Sequence, residues 1–283
     1  MSIMLTSYGG FSYVKPGNGI WKVTVGPNKV YEGYNPSFGA NSLEKIKQAC
    51  QRNEIPSSWH VGDEKTITYT YNGNSYTDRI VLVDKTEGRY EYTSDNYYSD
   101  NNYTHATFMI VPSRIDSYLT GGTSGTTNKK YSANTTFQSD IYSLWQRYNV
   151  TSNDGTNLTS LLEEIKIKSM TGSSSATEDF ACYFFIPSCC ELAVSGLSPT
   201  TGNTTASYKT GSNLGNFELF VNSPVVGSDN VSRYEYYFGY AVNIWSRDYT
   251  GSSNRYYYYK YNDSFVRTRT TATTCADIVC FSW

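Results

Sequence analysis

Lys65-Thr66-Ile67-Thr68-Tyr69-Thr70-Tyr71, then Asn72-Gly73, then Asn74-Ser75-Tyr76-Thr77-Asp78-Arg79-Ile80-Val81-Leu82-Val83 is the stretch whose reading decides the fold. Ile67, Tyr69 and Tyr71 alternate with threonines, the period of a half-buried strand. Asn-Gly between two such runs is the strongest short hairpin signal, because a two-residue turn of type I′ needs two positive φ angles that Asn and Gly adopt at least cost. The pattern predicts a β-hairpin with strands Lys65 to Tyr71 and Ser75 to Val83.

Working outward toward the N-terminus, Ser42 precedes Leu43, Ile46, Ala49 and Cys50 at helical spacing, with Lys45 among the solvent-side residues. This predicts a short serine-capped amphipathic helix, ended by Ile55-Pro56. Before it, Trp21, Val23 and Val25 alternate with Lys22 and Thr24, and Gly26-Pro27-Asn28 turns the chain into Val30, Tyr31 and Tyr34, a second hairpin. Ser7 to Asn18 has no period and reads as an extended arm lying along a neighbouring subunit or its own domain.

Toward the C-terminus, Lys85 to His105 is polar but holds Tyr90, Tyr92, Tyr97, Tyr98 and Tyr103, and reads as an exposed aromatic loop before an apolar strand, Ala106 to Pro112. Gly121 to Ser132 reads as a connection. Phe137 to Tyr148 and Leu158 to Met170 each carry a helical apolar face, the second with Glu163 and Glu164 ahead of Lys166 and Lys168. After the serine linker Gly172 to Ser175, a strand is expected over Cys182 to Ile186, and a short helix from Pro187-Ser188 through Leu192. The mixture predicts an α+β fold.

Composition bounds function. The 283 residues suffice for a sizeable core without disulfides, and a net charge of -2 supplies no basic field for nucleic acid. Charged residues are 17% of the chain against roughly 25% in an ordinary domain, while tyrosines number 28, so the surface is neutral, hydrogen-bonding and adhesive. No apolar run is long enough for membrane insertion, and Met1 to Gly10 lacks the pattern of a secretory signal. Work outside a cell then follows release by lysis. The six cysteines, Cys50, Cys182, Cys189, Cys190, Cys275 and Cys280, match no zinc spacing. Buried free thiols, or one disulfide such as Cys275 or Cys280 with the Cys189/Cys190 pair, are the readings they leave.

No nucleotide or calcium-loop motif occurs, and neither His60 nor His105 sits in a nucleophile context, so no catalytic or metal-ligating residue is expected. Glu163/Glu164 and Asp95/Asp100 read as solvated surface. A glycan-degrading enzyme, which needs two carboxyls held across a bond, stays open as a third class.

The sharpest feature lies in the last quarter. Tyr234, Tyr236, Tyr237, Tyr240, Tyr249, Tyr256, Tyr257, Tyr258, Tyr259 and Tyr261 crowd among Asn243, Asn254, Arg255 and Asn262, between short strands expected at Ala241 to Ser246 and Ala276 to Trp283. Consecutive strand residues point to opposite faces, so four tyrosines in a row cannot all enter one core. They suit a recognition surface or a subunit interface; high strand propensity alone is the plainer reading.

Trp59-His60-Val61-Gly62-Asp63-Glu64-Lys65-Thr66-Ile67 resembles the opening of a domain common in phage and prophage proteins of gut bacteria. Phe185-Ile186-Pro187-Ser188 with Glu191-Leu192, Trp245-Ser246-Arg247, and Ala276-Asp277-Ile278-Val279-Cys280-Phe281 resemble later motifs of that family, in the same order. The resemblance covers about residues 42–283. It implies a C-type-lectin-like fold, related to formylglycine-generating enzymes, and the N-terminal arm and β-hairpin of residues 1–41, read above from their own pattern, are expected to attach that domain to a larger assembly. Variable proteins of diversity-generating retroelements use this fold, with adenine-directed mutagenesis enriching Tyr, Ser, Asp, Thr, Arg and Gly on a ligand-binding face. Tyr234 to Arg269 is similar in place and composition, so the fourteen residues just named become the ligand-binding candidates, and Trp245, Arg247, Glu235 and Lys260 fixed scaffold. The calcium-binding lectin motifs and formylglycine-type cysteines are absent, so no cofactor is implied.

The expectation is a non-enzymatic phage virion surface protein of tail, fibre or capsid, a homo-oligomer among other virion proteins, binding host-surface glycan or protein. The alternative is an architectural virion protein with its tyrosines buried between subunits.

Overall fold

The computed structural model describes residues 11–14, 22–25, 29–30, 33–94, 102–113, 145–170, 177–187, 191, 217–222, 244–249, 255–260, 263–270 and 278–283. At the N-terminus, β1 (Phe11–Val14), β2 (Lys22–Val25) and β3 (Lys29–Val30) form an antiparallel sheet with β2 in the middle. β2 and β3 pair as the expected hairpin requires, with Val25 opposite Lys29; Gly26, Pro27 and Asn28 lie outside the described residues. Part of the extended arm lies along β2 as β1, Phe11 opposite Val25.

Helix α1 (Leu43–Gln51) starts at Ser42, whose Oγ accepts from the Lys45 amide at 3.3 Å, and buries Leu43, Ile46, Ala49 and Cys50. It stops before the expected Ile55-Pro56. Asn53 turns left-handed at φ 50, its amide donating to Cys50 O while Glu54 N donates to Ala49 O at 2.8 Å. These bonds occupy the last carbonyls, so the helix ends on an asparagine rather than on the proline.

The Asn72-Gly73 hairpin forms as its sequence predicts, between β4 (Glu64–Tyr71) and β5 (Asn74–Asp84), with φ of 49 and 77 at the two turn residues. β4 and β5 pair without a break from Tyr71–Asn74 to Glu64–Val81. β6 (Glu91–Tyr92) and β7 (Thr107–Val111) follow; β7 pairs with β5. The expected exposed loop is corrected here: Tyr90 and Tyr92 are 6% and 1% exposed, and only Tyr103, at 41%, lies open among its described tyrosines. Tyr97 and Tyr98 lie outside the described residues. A period-free polar stretch still buries its rings where two bridges fold it back on itself, Tyr92 N to Asn102 O and Thr104 N to Tyr90 O.

Residues 145–148 are helical, the described end of the helix expected from Phe137. The second expected helix is corrected. Only α2 (Leu158–Leu161) is helical, and Ile165 to Met170 form β8, which pairs with β6 and with β9 (Thr177–Cys182). Ile165 and Ile167, both buried, sit two apart, so the strand period wins once pairing partners exist on both sides. The strand expected over Cys182 to Ile186 ends instead at Cys182, leaving Phe185 as an isolated bridge to Cys280. Most of the short helix expected after Pro187 lies outside the described residues, as does the Gly121 to Ser132 connection.

Beyond α3 (Glu218–Asn222), β10 (Ile244–Tyr249), β11 (Arg255–Lys260) and β12 (Asp263–Thr270) form a sheet with β11 in the middle. The chain then returns as β13 (Val279–Ser282), which pairs with β7 and completes the order β13-β7-β5-β4. The fold is mixed α+β, as the sequence leads one to expect.

α1 packs on this last sheet through an aromatic core. Phe38, Trp59, Phe108, Phe281 and Trp283 are each at most 2% exposed. Phe108 lies 5.3 Å from Phe281 and 5.4 Å from Trp283, centroid to centroid. Both indoles are satisfied, Trp59 by Asn35 O at 2.9 Å and Trp283 by Leu161 O at 3.0 Å. Gly39 lets the turn Phe38–Ala40 lie against β4: a Cβ there would stand 2.5 Å from Glu64 O.

Candidate functional site

The tyrosine-rich candidates fall in and around the β10-β11-β12 sheet. Arg255, Tyr256, Tyr257, Tyr258 and Tyr259 belong to β11, and Tyr249 ends β10. Tyr258 stands opposite Trp245 on one side and Arg267 on the other, Tyr256 opposite Tyr249 and Arg269. Both ladders carry irregularities, between Trp245 and Tyr249 and at Tyr259–Lys260. Tyr234, Tyr236, Tyr237, Tyr240, Asn243, Asn254, Tyr261 and Asn262 lie outside the described residues. β10 comes alongside β8.

Two anchors hold the chain on either side of this sheet. Before it, Phe217, Leu219 and Phe220 are buried; after it, Ile278 to Trp283 are buried. The same scaffold holds several residues of the motifs quoted for the resemblance. Trp59, Phe185, Ile186, Glu191 and Ile278 to Phe281 are all interior residues.

The scaffold also contains charged residues that sequence reading passes over. Asp84, at the end of β5 and 1% exposed, accepts from Arg89 Nη2 at 2.7 Å, from Thr86 N at 2.7 Å and from Glu218 N at 3.0 Å. Arg89 lies over the Phe217 ring at 5.0 Å. Glu191 accepts from Phe217 N through its carbonyl and from the Tyr90 hydroxyl through its carboxylate, both at 2.8 Å. Together these groups fix the point from which the chain departs toward the tyrosine sheet.

Asp78, earlier in β5 and fully buried, accepts from Arg147 Nη2 at 3.0 Å, Tyr148 Oη at 3.0 Å, Ser113 N at 2.7 Å and the Tyr69 hydroxyl. The Arg147 guanidinium stands 4.2 Å from the Tyr76 ring centroid. Burial, and then the Asp78 charge, push the Tyr69 and Tyr148 hydroxyls above their ordinary pKa, so both stay donors. Burial alone would lower Arg147, but Tyr148, Asp78 and Tyr69 outweigh it and hold the guanidinium charged. The signal that could have found Asp78 is period two, since it stands on the face of β5 that carries Tyr76, Ile80 and Leu82; the register shift between Leu82 and Asp84 sets Asp84 opposite Thr107 on the other face, where no sequence period announces it. An acid on an inward face requires a partner.

Neither carboxylate can reach a substrate, because each is enclosed and saturated with donors. His60 is exposed. His105 is 4% exposed, its Nε2 is 3.6 Å from Glu87 Oε1, and burial holds its pKa below the usual value against the Glu87 charge. Among the described residues no serine or cysteine side chain bonds to it, and no group of three or more His, Cys, Asp or Glu side chains could hold a metal. Cys50, Cys182 and Cys280 are buried, and burial pushes the Cys50 thiol far up; Cys189, Cys190 and Cys275 lie outside the described residues. Glu163 and Glu164, expected on a helix, lie instead in the extended link between α2 and β8, where Glu163 pairs with Lys47 and Glu164 accepts from Thr93 Oγ1 at 2.7 Å.

No family model, curated protein or solved structure matches the chain. Among the described residues no helix is long and apolar enough to cross a membrane.

Proposed function

We propose that this chain is a non-enzymatic recognition protein of a phage particle surface, a C-type-lectin-like scaffold that presents its C-terminal tyrosines to a host-surface glycan or protein. One observation supports this most: Tyr256 to Tyr259 occupy the middle strand of a sheet, and the chain is held in the core both before and after that sheet. A middle strand spends its backbone groups on two neighbours, so such a sheet engages a partner through its faces and loops. Contact residues carried by a rigid scaffold are the ordinary arrangement for binding sites, and tyrosine is the side chain that gives most contact area for least lost entropy. The resemblance to phage and prophage domains, and to variable proteins of diversity-generating retroelements, supplies the setting.

The test is binding of the isolated protein to intact gut bacterial cells, beside a variant with Tyr256→Ser, Tyr257→Ser, Tyr258→Ser and Tyr259→Ser. Saturable binding that the folded variant loses is the expected result. No binding by either protein to any candidate host would move the role to architecture, with the tyrosines between subunits.

A further inference from the structure

We propose that Tyr183, Trp145, Glu163 and Glu164 form a second contact surface that receives an arginine side chain of a protein partner. It does not depend on what the tyrosine-rich sheet binds. Tyr183 is 40% exposed, one of two large apolar side chains open to solvent among the described residues. Its ring meets Trp145 at 5.0 Å and 59°, and Trp145 packs at 6.0 Å on Phe184, which is fully buried. The exposed ring therefore rests on a rooted pair.

The carboxylates belong to the same surface. Ile165 pairs with Cys182, both facing inward, as the last pair of the β8–β9 ladder, so Glu164 and Tyr183 are the two residues that flank the end of that ladder. Both acids act on the phenol: after burial, Glu164 and then Glu163 raise the Tyr183 pKa. Neither carboxylate is loose. Glu163 is held by Lys47 and Gln51, and Glu164 by Thr93. Each carboxylate still has lone pairs to offer, since these contacts reach one oxygen of each.

The chemistry selects a cation. The face of an aromatic ring is negative, and two carboxylates beside it accept but do not donate. The nearby lysines are engaged, Lys47 with Glu163 and Lys166 with Glu91, so the surface carries net negative charge and repels anions. A sugar hydroxyl can donate to these carboxylates but brings no charge to answer theirs. A guanidinium is flat enough to stack on Tyr183 while its N–H groups reach a carboxylate, which an ammonium does less well.

The test titrates the ¹⁵N-labelled full chain with N-acetyl-arginine amide, its neutral isostere N-acetyl-citrulline amide, and methyl glucoside. The indole N–H signal of Trp145, assigned with Trp145→Phe, is the reporter. The hydrogen-bonded indoles of Trp59 and Trp283 report the fold in the same spectrum. The expected result is a saturable Trp145 shift with the arginine amide alone, weakened roughly threefold or more in Tyr183→Ala and in Glu164→Gln. Glutamine keeps an oxygen for Thr93, so that variant tests charge even if Tyr183→Ala disturbs the fold signals. Equal shifts with citrulline amide, no shift with either amide, a shift with methyl glucoside alone, or full-strength arginine binding by Glu164→Gln would each overturn the proposal.

Discussion

β4 and β11 are both tyrosine-bearing strands, and they are specified in opposite ways. β4 alternates, with Ile67 and Tyr69 at 1% and 4% exposure between open Thr66 and Thr70, and its ladder to β5 runs unbroken. β11 reads Arg-Tyr-Tyr-Tyr-Tyr-Lys without alternation, and its pairing shifts at Tyr259–Lys260. An alternating strand fixes its own register, because a slip of one residue would turn its apolar face to water. A uniform strand cannot do this, so its place depends on the neighbours and on the buried anchors at either end. Stability is therefore concentrated in the first sheet, and the second tolerates changes of side chain.

Asp78→Ala should separate the two most sharply. It strands a buried Arg147 and removes the acceptor of four other donor groups, for an expected loss of about 3–5 kcal/mol in denaturant unfolding. Gly39→Ala comes next. The new methyl meets the Glu64 carbonyl at the start of β4, and about 2 kcal/mol is expected as the turn at residues 38–40 is pushed away. A loss under ~0.5 kcal/mol in either variant would mean that the first sheet is not where the stability lies.

Acid offers a third, smaller comparison. Asp154 accepts from Ser152, Thr156 and the Leu43 amide at the start of α1, and lies 3.3 Å from Lys65 Nζ. Although burial alone would raise it, these bonds bring its pKa down from 3.8 to about 2. A carboxylate depressed in the folded state contributes stability above its unfolded pKa and loses it as pH falls through the folded value. About 1–2 kcal/mol should therefore disappear between pH 4 and 2, a loss that Asp154→Asn abolishes. Single changes in β11 come last. Tyr257→Ser should move stability by less than about 1 kcal/mol.

What the sequence makes legible is what is local. Asn72-Gly73 carries its own turn geometry, Ser42 its own cap, and Leu43, Ile46, Ala49 and Cys50 their own face, so these elements stand where expected. Asn53 could have marked the end of α1, since asparagine is the residue after glycine that accepts a left-handed φ most readily. The non-local parts escape. Leu158, Leu161, Leu162 and Ile165 satisfy a helix, and only pairing with β6 and β9 makes Ile165 to Met170 a strand. Asp78 finds Arg147 at a separation of 69 residues, which no local pattern announces. Of the candidate site, the composition of the C-terminal stretch points to the tyrosines, but the strands Arg255–Lys260 and Asp263–Thr270 are not among the elements expected between the two bracketing strands; the Tyr183 and Glu164 juxtaposition needs the β8–β9 register.

The most direct test of the division between scaffold and display joins two readouts on one protein, the variant with all four tyrosines of β11 changed to serine. Its unfolding free energy and its saturable binding to host cells are measured beside those of the parent. The Trp59 and Trp283 indole signals and most of the unfolding free energy should remain while binding is lost. Unfolding of the whole protein with the tyrosines, or cell binding undiminished without them, would contradict that division.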